Sequence, residues 1–187
     1  MRGVGTRILD RTTYAKYNAP SASTEGENLA KHTVSGVMFD EKLEEVLLIC
    51  EPSKIPGGTE EKLFWQLPGG KCCHTKEKSE GCCPESKEET LVRKYFEETG
   101  YRPIAYELVD SQLRKNRENK SRYVKYLFLV KKIEGFPLER QVSNQEGPQW
   151  FLLGALPRNL YSSHRDYIKM AEIYLLDSAT RFYGKQH

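Results

Sequence analysis

The 187-residue chain lacks any long apolar run, and this absence excludes several classes of protein. No stretch approaches the roughly 20 apolar residues of a membrane-spanning helix, and the N-terminus has no apolar centre like that of a secretory signal. The 4 histidines form no visible arrangement with a nucleophilic serine or cysteine, so we expect them at the surface. A net charge of +3 is too small to indicate nucleic-acid binding by itself. We therefore expect an intracellular, cytoplasmic protein, with a nuclear or organellar location left open.

Composition indicates one domain with an appended leader. The chain is 38% hydrophobic and 29% charged, which suits a single core, and it contains no internal repeat. The first 20 residues carry four basic side chains against one acidic side chain. We predict a flexible basic leader over residues 1–28 and one domain over residues 29–187.

Apolar runs separated by turn residues predict strands before and after a central helix. Residues 31–39 and 45–51 indicate two strands of a hairpin, joined by a polar turn. Further strands are predicted over 63–67, 103–110, 123–132 and 149–153, and a closing helix from residue 163. The basic tip between Arg114 and Arg122 is either solvated or in contact with substrate phosphates. This order predicts an α/β sandwich with a mixed sheet.

The central helix carries its acidic residues together. At helical spacing, one side holds Leu91, Val92, Tyr95, Phe96 and Thr99, and we expect it to pack on the core. The other side holds Arg93, Lys94, Glu97 and Glu98. Adjacent carboxylates repel one another in a cleft, so they usually imply a hard cation such as Mg²⁺. Gly100 is predicted to end the helix.

This stretch resembles the Nudix box, over residues 70–101. The box pattern is matched at Glu85, Arg93, Glu97, Glu98 and Gly100, and Leu67-Pro68-Gly69-Gly70-Lys71 is similar to the segment that precedes it. Tyrosines stand at two positions that are aliphatic in the family. The chain departs from the pattern by an insertion at about residues 72–83 and by Lys94, where the family has a glutamate that binds metal or acts as a base.

Lys94 has two interpretations. In the first, its side chain extends to the surface and pairs with Glu98, four residues on. In the second, its ammonium enters the space of Glu97 and Glu98, neutralises them and competes with a metal ion.

The resemblance implies an α/β/α sandwich and a set of site residues. Catalysis would involve Glu97, Glu98 and Glu146, with Arg93 orienting the carboxylates; Glu139 is a second loop acid to consider. Mg²⁺ or Mn²⁺ would be held by the Gly69 carbonyl, Glu85, Glu97 and Glu98. We expect Gly70, Lys71 and Trp65 to contact substrate.

Two functions follow from the resemblance. The first is a metal-dependent pyrophosphohydrolase that cuts a phosphoanhydride in a nucleoside diphosphate linked to another group, a dinucleoside polyphosphate, an inositol pyrophosphate or an RNA 5′ end. The second is a catalytically weakened or partner-activated Nudix module that binds nucleotide, RNA or protein. No membrane partner is expected, and a protein partner is left open.

Four of the five cysteines lie in two adjacent pairs, Cys72-Cys73 and Cys82-Cys83. Such clusters suggest zinc, but structural zinc sites usually space the thiolates of a pair two to four residues apart. The alternatives are a metal clip and a solvated loop of reduced thiols. Cys50 lies in an apolar run and is predicted to be buried.

Overall fold

The computed structural model describes residues 31–54, 61–72, 85–116, 121–138 and 147–183. Several predictions lie outside these residues and stay predictions. They concern the leader, most of the insertion with Cys73, Cys82 and Cys83, part of the basic tip, Glu139 and Glu146.

Within the residues that the structure describes, seven strands and two α-helices form two sheets with helices packed on them. The elements are β1 (His32–Val37), β2 (Glu45–Lys54), β3 (Glu61–Gln66), β4 (Gly69–Lys71), α1 (Lys87–Thr99), β5 (Tyr101–Lys115), β6 (Arg122–Gly135), β7 (Gln149–Leu152), a short 3₁₀ helix (Leu153–Ala155) and α2 (Ser162–Tyr183). The main sheet has the order β4-β1-β6-β5, and the second sheet has the order β3-β2-β7. Because β1 runs parallel to β6 while its other neighbour β4 is antiparallel, the main sheet is mixed, as predicted.

The predicted hairpin of the first two strands is wrong. β1 pairs with β4 and β6, whereas β2 pairs with β3 and β7 in the other sheet. Among the described residues, one isolated antiparallel β-bridge, between Phe39 and Val46, joins the two sides of the turn that connects β1 to β2. β1 is buried along nearly its whole length, so each of its edges is taken by a main-sheet strand. The two strands therefore diverge after the turn.

The main sheet separates two apolar clusters, and β6 contributes to both. Leu127 and Leu129 point to the α2 side, where they pack with Ile168. Phe128 and Val130 point to the other side, where they pack with buried residues of α1. This alternation, which follows from the two-residue repeat of a strand, defines an α1 face and an α2 face of the sheet.

The longest described helix, α2, has 22 residues. Among the helices that the structure describes, none combines the length and apolar character needed to cross a membrane.

Candidate functional site

Helix α1 ends where the sequence predicts, and its start is fixed by a serine cap that the sequence analysis did not identify. Ser86 caps its N-terminus: the Ser86 Oγ accepts the Glu89 N–H at 3.1 Å, and the Glu89 carboxylate accepts the Ser86 N–H at 2.8 Å. Such a cap contributes about 1 kcal/mol. At the other end Gly100 has a φ of 79°, and its N–H donates to the Phe96 carbonyl. The helix that carries the acidic residues therefore has fixed ends.

The buried side of α1 differs from the predicted side at Phe96 and Glu98, and it also includes Thr90. Leu91, Tyr95 and Thr99 are fully buried as predicted, but Phe96 is 54% exposed, whereas Glu98 is only 8% exposed. Glu98 lies seven residues after Leu91, two turns along the helix, and so falls close to the same side. One of the two predicted metal-binding carboxylates on α1 thus belongs to its buried side.

Glu98 ties the last turn of α1 to β4. Its Oε2 accepts the Gly69 N–H at 2.8 Å. A side chain at Gly69 would place its Cβ 2.2 Å from the Val34 carbonyl oxygen, so the close approach of β4 to β1 requires glycine there. The predicted site residues Gly69 and Glu98 are therefore in contact.

Arg93 lies between two carboxylates. Its Nε and Nη2 donate to Glu85 at 2.6 and 2.8 Å, and its Nη1 donates to the two Glu97 oxygens at 3.0 and 3.2 Å. Nη2 also reaches the Lys71 carbonyl at 3.2 Å. These carboxylates, Glu85 foremost, raise the Arg93 pKa above its ordinary value. Arg93 therefore connects the start of α1, its last turn and β4.

Glu85 is already engaged through both oxygens. Oε1 and Oε2 accept from Arg93, and Oε2 also accepts the Thr90 hydroxyl at 2.9 Å. The His32 Nε2 lies 2.9 Å from that hydroxyl. This arrangement favours a role for Glu85 in holding Arg93 over the predicted role as a direct metal ligand.

Lys94 pairs with Glu97, three residues on, and not with Glu98. Its Nζ lies 2.8 Å from the Glu97 Oε2. The lysine stem covers Gly70: a Cβ built there would lie 2.9 Å from the Lys94 Cδ. Lys94 and then Arg93 lower the Glu97 pKa, but the Glu97 side chain is 44% exposed, so the pair itself adds at most about 1 kcal/mol. The ammonium enters the predicted metal space at Glu97.

The Glu97 and Glu98 carboxylates are oxygen donors of the kind that binds Mg²⁺ or Mn²⁺, but Lys94 occupies one of them. Across the described residues, no three histidine, cysteine, aspartate or glutamate side chains converge on one point. Mg²⁺ is usually held by one or two carboxylates, with waters and substrate phosphates completing its shell. Glu97 and Glu98 can supply those carboxylates, provided that Lys94 leaves Glu97.

The predicted substrate contacts fall in different places. Gly70 and Lys71 lie on β4 beside the carboxylates, and the Lys71 residue is exposed. Trp65 is instead only 7% exposed and packs edge-on against Phe151 with a centroid distance of 4.5 Å. Its ring is part of the core, which favours a packing role for Trp65 over the predicted contact with substrate.

Sequence reasoning missed His164. It is buried in α2, and its Nδ1 accepts the Leu67 N–H at 2.8 Å, just before the two glycines of β4. Burial, with the nearby Lys125 charge second, lowers the His164 pKa to about 3, so the ring is neutral at pH 7. His32 is also buried. The expectation of surface histidines is therefore wrong for both residues, because no local pattern marks a contact spanning so much chain.

Cys72, the described member of the two cysteine pairs, belongs to the strand region. It is buried, and its Sγ accepts the His32 N–H at 3.4 Å. Its backbone N–H donates to the His32 carbonyl. These contacts favour a structural role for Cys72 over a place in a solvated loop.

Comparison with known proteins agrees with this architecture. The NUDIX domain matches residues 30–171. A MutT NUDIX hydrolase from Burkholderia pseudomallei is 21% identical, with a TM-score of 0.56, over 75% of this chain and 97% of that one. The NUDIX domain of Shewanella oneidensis NrtR, solved with ADP ribose, is 21% identical, with a TM-score of 0.52, over 89% and 99%. A NUDIX hydrolase from Nitrosomonas europaea is 22% identical, with a TM-score of 0.51, over 77% and 89%. Among curated proteins, none matches the chain with significance.

The structural neighbours share the fold at low identity, and the family match extends over most of the chain, from before β1 into α2. The chain belongs to the NUDIX domain family, the Nudix hydrolases, which act on phosphoanhydrides.

Proposed function

We propose that this protein is a pyrophosphohydrolase that uses Mg²⁺ or Mn²⁺ to cut a phosphoanhydride. The proposed substrates are a nucleoside diphosphate linked to another group, a dinucleoside polyphosphate, an inositol pyrophosphate or an RNA 5′ end. The observation that carries the proposal is the contact of Glu98 with Gly69, with Glu97 beside it on the same helical turn. This contact gathers acidic oxygens and a glycine-rich strand at one edge of the main sheet.

Each residue of this edge has a separate task in the proposed site. Glu97 and Glu98, with the Gly69 carbonyl, would hold the cation, which when bound neutralises charge on the anhydride and activates water. Arg93 keeps Glu97 in place through two hydrogen bonds and fixes the β4 backbone through the Lys71 carbonyl. The exposed Lys71 is free to turn toward a substrate phosphate.

Glu146, which precedes β7 along the sequence, is proposed as a further catalytic acid or base, and its role rests on the sequence. Replacing Glu146 by Gln should lower turnover without weakening metal binding if the residue acts on the attacking water. Cytoplasmic location and the leader boundary also stay predictions from the sequence.

The second candidate is a weakened or partner-activated module that binds nucleotide, RNA or protein. The Lys94 ammonium at 2.8 Å from Glu97 favours it, because a positive charge in this place opposes entry of a divalent cation. The two candidates differ in whether Lys94 yields its position when metal and substrate arrive.

Turnover measurements separate the candidates. Purified protein with Mg²⁺ or Mn²⁺ is assayed on ADP ribose, a dinucleoside polyphosphate, an inositol pyrophosphate and a triphosphorylated RNA. The hydrolase proposal expects turnover of at least one compound, its loss in Glu98→Gln, and its retention in the control Glu88→Gln on the first turn of α1. If the wild type turns over none of these compounds and Lys94→Glu does, the result would support the weakened module. If neither the wild type nor Lys94→Glu turns over any compound while both still bind ligand, the hydrolase proposal would be refuted.

A further inference from the structure

A cationic cluster formed by Lys125 and Arg114 lies on the α2 face of the main sheet, opposite the face on which α1 packs. Its centre is Lys125 on β6, the strand next to β1, and its Nζ stands 4.6 Å from the centroid of the Tyr167 ring on α2. Arg114 on β5 lies near both groups: its charge acts on the Lys125 ammonium and on the Tyr167 hydroxyl. Among the described residues, no carboxylate comes within 4.0 Å of the Lys125 or Arg114 side-chain nitrogens.

Strand register connects this cluster to β4. Thr33 of β1 pairs with Lys71 on one side and with Lys125 on the other, so the three residues form a row across the sheet. Residues paired directly across strands point to the same face, and two strand spacings separate the Lys71 and Lys125 Cα atoms by about 10 Å. Lys71 therefore lies on β4, the edge strand next to α1, and its side chain is on the same face of the main sheet as that of Lys125.

The environment of Lys125 is unusual for a lysine because it combines burial with like charge. Desolvation, with the nearby Arg114 charge second, lowers the Lys125 pKa to about 8. An ammonium in such surroundings costs free energy that an anion can offset. The Tyr167 ring face supplies part of the compensation through a cation–π contact.

We propose that Lys125 and Arg114 bind an anionic group of the substrate, a phosphate separate from the anhydride that is cut. The inference rests on the proposed function, in which Lys71 contacts a phosphate of the anhydride that is cut, and it names a substrate class: molecules with an additional phosphate about 10 Å from that one, the span between the Lys71 and Lys125 Cα atoms. Dinucleoside polyphosphates and inositol pyrophosphates meet this requirement. A nucleotide sugar with an uncharged sugar does not.

Calorimetry with inorganic tripolyphosphate, without divalent metal, tests the site independently of catalysis. At pH 6 we expect Lys125→Met to weaken binding by about tenfold, the usual effect of losing one charged contact. Lys132→Met, on an exposed stretch of β6, is the matched control and should bind as the wild type does. Arg114→Gln should also weaken binding, and urea unfolding of each variant verifies that it is folded.

The pH dependence gives a second readout. As pH rises from 6 to 9 Lys125 loses its proton, so the ratio of wild-type to Lys125→Met affinity should fall toward one. Taking this ratio cancels the ionisation of tripolyphosphate itself.

The groups that face Lys125 are Asp110 and Arg114 on β5, Tyr123 on β6, Lys71 on β4, and His164 and Tyr167 on α2. Burial keeps His164 neutral above pH 6, and the raised Tyr167 pKa keeps its hydroxyl protonated.

Unchanged affinity in Lys125→Met would overturn the proposal and leave Lys125 as a packing residue against Tyr167. The two proposals fail separately. If Lys125→Met loses tripolyphosphate binding and the wild type turns over no substrate, the anion site is supported and the hydrolase proposal is rejected. If turnover depends on Glu98 but tripolyphosphate binds equally well to Lys125→Met, the hydrolase proposal is supported and the anion site is rejected.

Discussion

The ammonium of Lys94 lies 2.8 Å from a carboxylate oxygen of Glu97, and its methylene stem covers Gly70. A divalent cation at Glu97 would have to displace a charge that the chain itself supplies. The strength of metal binding therefore depends on the cost of moving one flexible side chain.

Replacing Lys94 by Glu should increase affinity for Mn²⁺ by roughly tenfold or more, because the change removes a competing cation and adds an oxygen ligand. Calorimetric titration of Mn²⁺ into wild type and variant measures the effect. Lys87→Glu, on the first turn of the same helix, is the control for charge alone. Equal gains in both variants would mean that net charge, and not position, sets the affinity.

Replacing Arg93 by Lys should weaken Mn²⁺ binding by roughly 10–100-fold, the usual effect of losing a residue that orients a ligand. A lysine cannot reproduce the paired hydrogen bonds to Glu85 and Glu97. Arg102→Lys, at an exposed position of β5, is the matched control. An unchanged Mn²⁺ affinity in Arg93→Lys would show that Glu97 is positioned without it.

The two glycines of β4 should differ sharply in their tolerance of alanine. At Gly69 the new Cβ would meet the backbone oxygen of Val34 at 2.2 Å, so we expect a loss of about 3 kcal/mol in unfolding free energy. At Gly70 it would meet the movable methylenes of Lys94 at 2.9 Å, and the loss should be smaller. Urea unfolding of both variants compares them; equal losses would contradict this account.

Buried His164 should make the fold sensitive to acid. Its pKa is about 3 in the folded protein against an ordinary 6.5, so below pH 6.5 the unfolded chain takes up a proton that the folded chain does not. Unfolding free energy should fall by roughly 2 kcal/mol between pH 7 and pH 5 from this group alone. In His164→Asn, whose Oδ1 can accept the Leu67 N–H, that part of the loss should vanish. Parallel urea curves at both pH values test this, and identical pH dependence would contradict it.

The Tyr95 hydroxyl is buried without a hydrogen-bond partner among the described residues, and burial raises its pKa. Tyr95→Phe should therefore stabilise the fold by about 1 kcal/mol, since the unsatisfied group disappears and the ring remains. Thermal or urea unfolding measures the change, with Tyr101→Phe, at the half-buried second tyrosine of the box, as control. Destabilisation of Tyr95→Phe would mean that the hydroxyl has a partner after all.

The parts of the site that follow local rules were predictable from the sequence. The end of α1 depends on Gly100, and the Arg93–Glu97 contact depends on a four-residue spacing along one helix. The mixed sheet followed from the order of strands and helices. These features need no knowledge of distant residues.

The features that were missed depend on contacts between distant segments. β2 leaves β1 for another sheet because β4 and β6 take both edges of β1. Trp65 pairs with Phe151, and Glu98 turns inward to Gly69. No spacing within a short window carries these partners.

The hydrogen bond from Leu67 to His164 joins positions 97 residues apart. During synthesis, the glycine turn leaves the ribosome long before the helix that anchors it. The nascent chain cannot form this hydrogen bond until the first turn of α2 has emerged, so a chain cut before that helix would keep every acidic residue of the box and lack the support beneath the turn.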